Sequence, residues 1–251
     1  MRVTYGGHAT TLLEVGGQRL LTDPLLRSRL LHLRRVAPPL DRSRLDNLDA
    51  VLISHDHLDH LDIPSLRQLP RGAPLVAPVG AGRTLRRLGR REVHELAVGD
   101  GLEFGSVRVQ AVPAVHGGGR WPWWPTGEAI GYVVEGRCRA YFAGDTELFD
   151  GMRDFASGLD LALIPIWGWG PKVGAGHLRP PEAARALALL RPRYVVPIHW
   201  GTLYPIGLRR IRPEPLTEPA TAFAREAREL APEVDVRVLA PGATLDVPDA
   251  T

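Results

Sequence analysis

The sequence predicts an α/β protein, and three observations support this fold class. Short apolar runs rich in Val, Ile and Leu alternate with segments of helical periodicity in both halves of the chain. Glycine-containing links at 16–17 and 135–136 join runs in the way that is typical of β-hairpins. With 251 residues and 44% hydrophobic content, the chain is long enough to bury a large core as one domain or two fused halves.

The individual elements follow from these patterns in chain order. Strands are predicted where β-type apolar runs lie between turn residues, at 2–5, 10–15, 18–22, 49–53, 74–77, 93–97, 107–115, 130–135, 138–143, 160–164, 194–198 and 234–239. Helices are predicted at 62–69, 80–88, 180–190 and 217–230. The third helix begins with two prolines, and the fourth has Thr217 as its N-cap followed by the acidic Glu218.

Composition limits the cellular setting and the class of partner. The net charge is only +3, and Lys172 is the only lysine, so the charge balance does not select a nucleic acid or another polyanion. The single Cys138 allows no intramolecular disulfide, which fits a reducing compartment. The chain begins with a predicted strand and has no apolar run near the roughly 18 residues of a membrane-spanning helix. We therefore predict a cytoplasmic protein without a transmembrane segment.

The most informative feature is a cluster of metal-type donors directly after the apolar run 50–53. It consists of His55, Asp56, His57, Asp59 and His60. Imidazole nitrogen and carboxylate oxygen are the donors that zinc and related first-row metals prefer. These side chains are costly to bury unless they are paired or bound to metal, so core packing does not account for the cluster.

Further donors stand at the ends of other predicted strands. His116 follows the run 107–115, Asp145 follows the run 141–143, and His199 follows the run 194–198. One histidine at a strand end is more often structural than a ligand. Repeated placement of donors at strand ends predicts instead a metal site at one edge of a sheet.

The spacing H-x-H-x-D-H from His55 to His60 resembles the signature of the metallo-β-lactamase superfamily. That resemblance implies a four-layer αβ/βα sandwich, with residues 1–251 as a single domain of two pseudo-symmetric halves and metals at their shared edge. It also implies two bound divalent ions. Zn²⁺ is the expected metal, and Mn²⁺ or Fe²⁺ are alternatives. The implied ligands are His55, His57 and His116 for one ion, Asp59, His60 and His199 for the other, and Asp145 as the bridge.

Motifs outside the cluster resemble one branch of this superfamily. They are Gly7–Thr10, Leu21–Pro24, Asp49–His55, Gly176–Ala183 and Val196–Thr202. The branch contains N-acyl-phosphatidylethanolamine phospholipase D and ascorbate-6-phosphate lactonase. It implies a dinuclear hydrolase in which a metal-bridging hydroxide attacks a phosphodiester or a lactone of a small-molecule or lipid-like substrate, with the phosphodiester favoured. An RNA-processing nuclease of the same superfamily and a non-catalytic metal-binding sensor or partner protein are the alternatives.

Several residues are candidates for supporting roles, and some of them have a plainer structural alternative. Asp59 is expected to orient the nucleophile. His177 is expected either to bind a substrate phosphate or to donate a proton to the leaving group, unless it only caps or packs against the following helix. Asp23 and Asp56 are expected to hold the remaining ring N–H of ligand histidines. An exposed turn carboxylate is the alternative for Asp56, and a structural hydrogen bond is the alternative for a similar role of His8.

Substrate contacts are predicted in two tryptophan-containing segments. Trp121, Trp167 and Trp169 are expected beside the metals, where indole rings suit an apolar substrate moiety, unless they form an aromatic core between loops. Arg120 and Lys172 flank them and are candidates for binding a phosphate. The segment 25–36 alternates leucines with arginines and either contacts an anionic lipid surface or packs its leucines on the core.

Overall fold

Two seven-stranded mixed sheets dominate the computed structural model, which describes residues 1–89, 92–117 and 128–249. The strands are β1 (Arg2–Gly7), β2 (Thr10–Val15), β3 (Gln18–Thr22), β4 (Arg29–Leu30), β5 (Leu33–Arg35), β6 (Ala50–Leu52), β7 (Leu75–Pro78), β8 (Val93–Leu96), β9 (Gly101–Phe104), β10 (Val107–Pro113), β11 (Ile130–Glu135), β12 (Arg139–Phe142), β13 (Leu161–Pro165), β14 (Tyr194–Ile198), β15 (Leu203–Pro205), β16 (Asp235–Val236) and β17 (Thr244–Asp246). The helices are α1 (Ile63–Leu66), α2 (Gly82–Arg86), α3 (Pro180–Leu190) and α4 (Glu218–Leu230), with 3₁₀ turns at Arg42–Leu45, Asp150–Phe155, Leu208–Arg210 and Glu214–Leu216.

The two large sheets repeat one pattern of strand pairing. The first has the order β17-β1-β2-β3-β6-β7-β8, and the second has the order β9-β10-β11-β12-β13-β14-β16. In each sheet the first three pairings are antiparallel and the last three are parallel. Parallel strands end at the same edge of a sheet, so the loops after them collect there.

The core has three apolar layers, which define the architecture. The layer between the sheets combines side chains of both, including Leu13, Leu52, Val109 and Phe142. The outer face of the first sheet packs on α1 and α2 through Leu12, Val51, Leu66 and Leu85. The outer face of the second sheet packs on α3 and α4 through Val133, Ile164, Leu187 and Phe223. Helices, sheet, sheet and helices therefore form four layers, and the predicted α/β sandwich is confirmed.

Two predicted helices are shorter than expected, for local reasons. The helix predicted at 62–69 ends at Leu66, ahead of Pro70, whose ring disfavours a helical conformation of the residue before it. The helix predicted at 80–88 spans only Gly82–Arg86 and runs into Gly89, which has a φ of +72°. The helices predicted at 180–190 and 217–230 form over almost the same residues.

A small third sheet of order β15-β5-β4 was not predicted. It contains part of the segment 25–36, in which Leu25, Leu26, Leu30 and Leu33 are buried and pack on the core, whereas Leu31 is exposed. Its anchor is the buried Arg35, whose guanidinium donates to the carbonyl oxygens of Gly6, Leu25 (2.7 Å), Ala37 (2.9 Å) and Pro38 (3.2 Å). Burial lowers the pKa of this arginine to about 10.

Two further strands, β9 and β17, were also not predicted. β17 pairs antiparallel with β1, with Arg2 opposite Asp246, so the last described segment completes the first sheet. The N-terminal amino group donates to the carbonyl oxygen of Val247 over 2.9 Å beside this pair. Among the described residues, we find no helix with the length and apolar character needed to cross a bilayer.

Candidate metal centre

Loops that follow β6, β10, β12 and β14 bring seven donor side chains to one place. They are His55, His57, Asp59, His60, His116, Asp145 and His199. These residues fall into overlapping groups in which all ligand-type atoms lie within 4.8 Å of one another. The structure thus assembles every residue that the sequence predicts as a metal ligand, from four separate segments of the chain.

One group consists of His55, His57 and His116. The Nδ1 atom of His57 and the Nε2 atom of His116 lie 3.1 Å apart. The ring of His55 lies 4.6 Å from that of His57 and 4.7 Å from that of His116, measured between centroids. Three imidazoles therefore surround one point.

A second group consists of Asp59, His60 and His199, with Asp145 between the two groups. The Nε2 atoms of His60 and His199 are 3.1 Å apart, and Oδ2 of Asp59 lies 3.8 Å and 3.6 Å from them. The buried Asp145 lies 3.1 Å from His60, 3.3 Å from His199 and 3.9 Å from Nε2 of His55. Asp145 is thus the one carboxylate among the seven donors that faces histidines of both groups.

Hydrogen bonds on the outer side of three rings fix which nitrogen carries the proton. His199 Nδ1 donates to the carbonyl of Trp167 (3.0 Å), and His116 Nδ1 donates to the carbonyl of Gly176 (2.6 Å). His60 Nδ1 donates to the carboxylate of Asp23 (2.7 Å). Because these acceptors carry no proton of their own, the ring nitrogens that face the centre of the site hold lone pairs when the rings are neutral.

The ring of His55 follows the same rule through Ser54. The Ser54 hydroxyl donates to Asp23 (2.6 Å), so it accepts from Nδ1 of His55 (2.9 Å). The Nε2 atom of His55 and the Oδ1 atom of Asp145 are buried without a hydrogen-bond partner among the described residues. Lone pairs that face one another at 3.1 Å need a cation between them, and histidine with carboxylate is a donor set that zinc accepts. The residues therefore fit divalent metal ions.

When no metal is bound, the pKa is lowered for some histidines of the site and raised for others. Burial holds the pKa of His55 well below its ordinary value and lowers the pKa of His116 to about 4. Burial also opposes the charging of His60, but Asp145 and Asp59 outweigh it and raise the pKa of that ring well above its ordinary value. The same attraction overcomes burial at both carboxyl groups and holds the pKa values of Asp59 and Asp145 well below their usual range.

These shifts predict a stability maximum near pH 6.5 for the metal-free protein, at about the ordinary histidine pKa. Below this pH, His8 and His116 take up protons in the unfolded chain. In the folded chain they stay neutral, because their pKa values are lowered to about 3 and about 4, so acidification destabilises the fold. Above it, the stability supplied by protonated His60 is lost as the pH rises through its raised pKa. We expect urea unfolding with a chelator at about pH 4.5, 6.5 and 8.5 to give the largest free energy at the middle value. A free energy that rises steadily across this range would contradict the expectation.

Two further residues, His8 and Asp23, lie within the same clusters of ligand-type atoms and position members of the donor set. His8 Nε2 donates to Oδ2 of Asp59 over 2.9 Å, its N–H donates to the hydroxyl of Thr202, and its carbonyl accepts from the N–H of His199. Asp23 accepts from His60 and from both the N–H and the hydroxyl of Ser54. Asp56 is buried beside the cluster, and its role stays a prediction.

Backbone strain accompanies these contacts. His8, Asp23 and His199 have φ values of 56°, 31° and 60°, in the left-handed region that residues other than glycine rarely adopt. Gly176 has a φ of +84°, and a Cβ atom there would lie 2.9 Å from Nδ1 of His116. The close carbonyl contact of His116 thus requires glycine at this position. Sequence patterns did not reveal Thr202, Gly176 or Ser54 as parts of the site.

The substitution Asp23→Asn tests the outer hydrogen bonds. An amide cannot accept from His60 and both Ser54 donors with the strength of a carboxylate, so the ring loses its fixed orientation. We expect metal affinity to fall about 10- to 100-fold, the usual cost of losing such a partner. Competition with a chromophoric chelator measures it. The control is Asp100→Asn, an exposed carboxylate that accepts from the N–H of Ala97; an equal loss in both variants would contradict the assignment.

Of the five predicted substrate residues, three lie on one described loop near the metal centre. Arg120 and Trp121 lie outside the described residues. Trp167 is half-buried, with its ring N–H donating to the carbonyl of Gly170, while Lys172 is exposed on the same loop. Trp169 is 39% exposed and makes an edge contact with the ring of His32, with centroids 5.3 Å apart. This loop adjoins the centre through the carbonyl of Trp167, which accepts from His199.

Comparison with known proteins agrees with this geometry. A family model described as "Beta-lactamase superfamily domain" matches residues 18–200, a span that is more than half of the chain and contains all seven donors. The chain belongs to the beta-lactamase superfamily. The two mixed sheets flanked by helices are the metallo-β-lactamase fold, so the predicted membership is confirmed.

Relatives within this superfamily extend the finding. A UPF0173 metal-dependent hydrolase of Rubrobacter xylanophilus is 34% identical over 255 residues, covering 97% of this chain and 96% of that protein. An N-acyl-phosphatidylethanolamine-hydrolyzing phospholipase D of Caenorhabditis elegans is 30% identical over 245 residues, covering 84% of this chain and 67% of that protein. The protein is thus a metal-dependent hydrolase of the metallo-β-lactamase superfamily.

A solved structure shows the same fold at lower identity. The metallo hydrolase Igni18 of the archaeon Ignicoccus hospitalis superposes with a TM-score of 0.74 at 23% identity, covering 97% of each chain. The fold is therefore shared over 97% of each chain.

Proposed function

We propose that this superfamily member is a dinuclear hydrolase that cleaves a phosphodiester. The observation that carries the proposal is the division of the donors into two groups with Asp145 between them. In this proposal His55, His57 and His116 hold one divalent ion, while Asp59, His60 and His199 hold the other. Zn²⁺ suits the set best, and Mn²⁺ or Fe²⁺ are alternatives.

When bound, divalent ions would lower the pKa of a water molecule and polarise the phosphoryl or carbonyl oxygen of the substrate. The side chains around them supply orientation and proton transfer. Asp59 is held by the ring N–H of His8, so its carboxylate is fixed where it can accept a hydrogen bond from the attacking water. The outer hydrogen bonds of His60, His116 and His199 keep the rings from turning during the reaction.

His177 is the proposed proton donor to the leaving group. Its Nδ1 donates to the carbonyl of Ala175 (3.0 Å), and its Nε2 lies 3.2 Å from Oδ2 of Asp145. Burial lowers the pKa of this ring, but the hydrogen bond and the charge of Asp145, together with the hydrogen bond to Ala175, outweigh burial and raise it. With its side chain 21% exposed, His177 can reach a substrate oxygen.

The choice of a phosphodiester is supported by the relative in Caenorhabditis elegans, whose name describes a phospholipase D. A leaving alkoxide needs a proton, which suits an acid such as His177. In this proposal Trp167 and Trp169 contact the apolar part of a small or lipid-like substrate, and Lys172 contacts its phosphate. Arg120 and Trp121 are proposed for the same roles from the sequence alone. Lactone opening is the alternative chemistry for the same donors.

The experiment combines metal analysis with two substrate classes. Purified protein, reconstituted with Zn²⁺ or Mn²⁺, is tested for bound metal and for hydrolysis of bis(p-nitrophenyl) phosphate and of a panel of small lactones. We expect two ions per chain and turnover of the diester. Turnover of lactones alone would contradict the phosphodiester proposal and favour a lactonase. If two ions are bound but neither substrate is hydrolysed, a role as a sensor or partner protein would be favoured.

A matched pair of histidine variants tests the assignment of the donors. His116→Ala is expected to lose metal and turnover together, because His116 completes the first group. His94→Ala removes a ring on β8 that pairs with Glu92 away from the centre, so it should keep both. Two bound ions in His116→Ala would contradict the ligand assignment.

A further inference from the structure

Beside the metal centre, the small sheet carries a surface that the proposed hydrolysis does not use. We define the basic platform as residues 29–36 and 203–212, which comprise β4, β5, β15 and the 3₁₀ turn Leu208–Arg210. The platform surrounds a cavity of about 560 Å³. Arg34, Arg209, Arg210 and Ile206 are among the residues that line it.

Four of the side chains that line this cavity are arginines. Within the described part of the chain, Arg34, Arg209 and Arg210 take part in no ion pair, and no carboxylate lines the cavity. The neighbouring Arg35 differs, because its guanidinium is buried on backbone carbonyls. Strand alternation in β5 thus directs one arginine into the protein and leaves Arg34 exposed on the cavity.

Exposed aliphatic side chains accompany the cations. Leu31, Ile206 and Ile211 are 65%, 52% and 76% exposed. Leu31 and Ile206 belong to adjacent segments, since the N–H of Ile206 donates to the carbonyl of His32 (3.1 Å). Large aliphatic groups that stand in water among arginines gain free energy only by transfer into an apolar medium.

We propose that the basic platform docks the protein on an anionic lipid surface. Arginines that meet lipid phosphates and aliphatic groups that enter the acyl boundary are the two components of interfacial binding, and both are present here within one surface. A small phosphate ion would use the arginines but not the exposed aliphatic residues. Docking would place Trp169, which contacts His32 of the platform, at the lipid boundary next to the loop that adjoins the metal centre.

The test uses vesicles of phosphatidylcholine alone and of phosphatidylcholine mixed with phosphatidylserine. We expect the wild-type protein to float with the mixed vesicles at low ionic strength and to be released as NaCl is added, because the attraction is screened. Neutralising Arg34, Arg209 and Arg210 together by substitution with Gln should weaken the partition by about 100-fold, or roughly fivefold for each charge. The variant Leu31→Ser/Ile206→Ser/Ile211→Ser should reduce the binding that survives at high salt.

A second triple variant controls for the loss of net charge. Arg153→Gln/Arg185→Gln/Arg228→Gln removes three exposed arginines, one each from the 3₁₀ turn Asp150–Phe155, α3 and α4, and it lowers the net charge from +3 to 0 just as the platform variant does. It should bind vesicles as the wild type does. Equal loss in the two triple variants would show attraction by total charge and overturn the proposal.

Three other results would also overturn it. The first is an absence of wild-type binding to the mixed vesicles at low salt. The second is binding of a labelled oligonucleotide, but not of vesicles, that is lost in the platform variant. The third is a dimer that the platform variant dissociates without any vesicle binding. Circular dichroism of each variant confirms that the fold is retained, and the single variant Arg34→Gln, at an exposed position, gives the same direction of effect if the triple variant fails to fold.

Discussion

Replacing Asp145 by alanine is expected to cost the protein both bound metal and turnover. This buried carboxylate faces histidines of both donor groups, so its loss would remove a ligand and a negative charge from the site that is proposed to hold both ions. Charge stabilisation by a metal is worth several kcal/mol in the transition state, so we expect turnover to fall by about 1,000-fold or more. Inductively coupled plasma analysis and diester hydrolysis measure the two losses.

A second buried carboxylate supplies the control. Asp160 precedes β13, accepts from the N–H of Arg139 (2.9 Å) and pairs with Arg193, away from the metal centre. Asp160→Ala is expected to lower the free energy of unfolding while keeping both ions. If Asp145→Ala retained two ions with full turnover, the bridging role of this residue would be wrong.

The second large effect concerns stability rather than catalysis. Arg35→Met is expected to lower the free energy of unfolding by about 3 kcal/mol or more, because the carbonyls of Gly6, Leu25 and Ala37 lose a buried donor. Methionine fills much of the same volume, so the loss measures hydrogen bonding more than cavity formation. Urea unfolding of the metal-free protein gives the value.

The neighbouring residue is the matched control. Arg34→Met alters an exposed side chain of the same strand and should change the free energy of unfolding by less than about 0.5 kcal/mol. If both variants lost a similar amount of unfolding free energy, the effect would belong to the strand as a whole, and the specific role of the buried Arg35 would be wrong.

The parts of the fold that were predictable are those in which pattern and turn chemistry agree. β2, β3, β11 and β14 form at the predicted residues because apolar runs are bounded by glycine or by a change to polar residues. α3 begins at its two prolines, as expected. By contrast, β5 has three residues, two of them arginines, and pairs with β15 from a distant part of the chain, so no local signal marks it.

The donor set and the orienting role of Asp23 were predicted from the sequence, whereas the backbone groups that orient the histidine rings were not. Donors are recognisable by residue type and by spacing, as in the cluster from His55 to His60. The acceptors that fix His116 and His199 are backbone carbonyls of Gly176 and Trp167, which carry no side-chain signature. Arg35 was likewise hidden, because an arginine among many others gives no sign that it is buried.

The pairing of β17 with β1 has a consequence for biosynthesis. It joins residues 244 positions apart, so during synthesis the outer edge of β1 stays unpaired until the segment around Asp246 has emerged from the ribosome. An unpaired strand edge is a template for other chains, and nascent chains on one messenger are close together. Translation, rather than the finished fold, is therefore the stage at which this protein is most exposed to aggregation, and chaperones that shield nascent strands should raise its soluble yield.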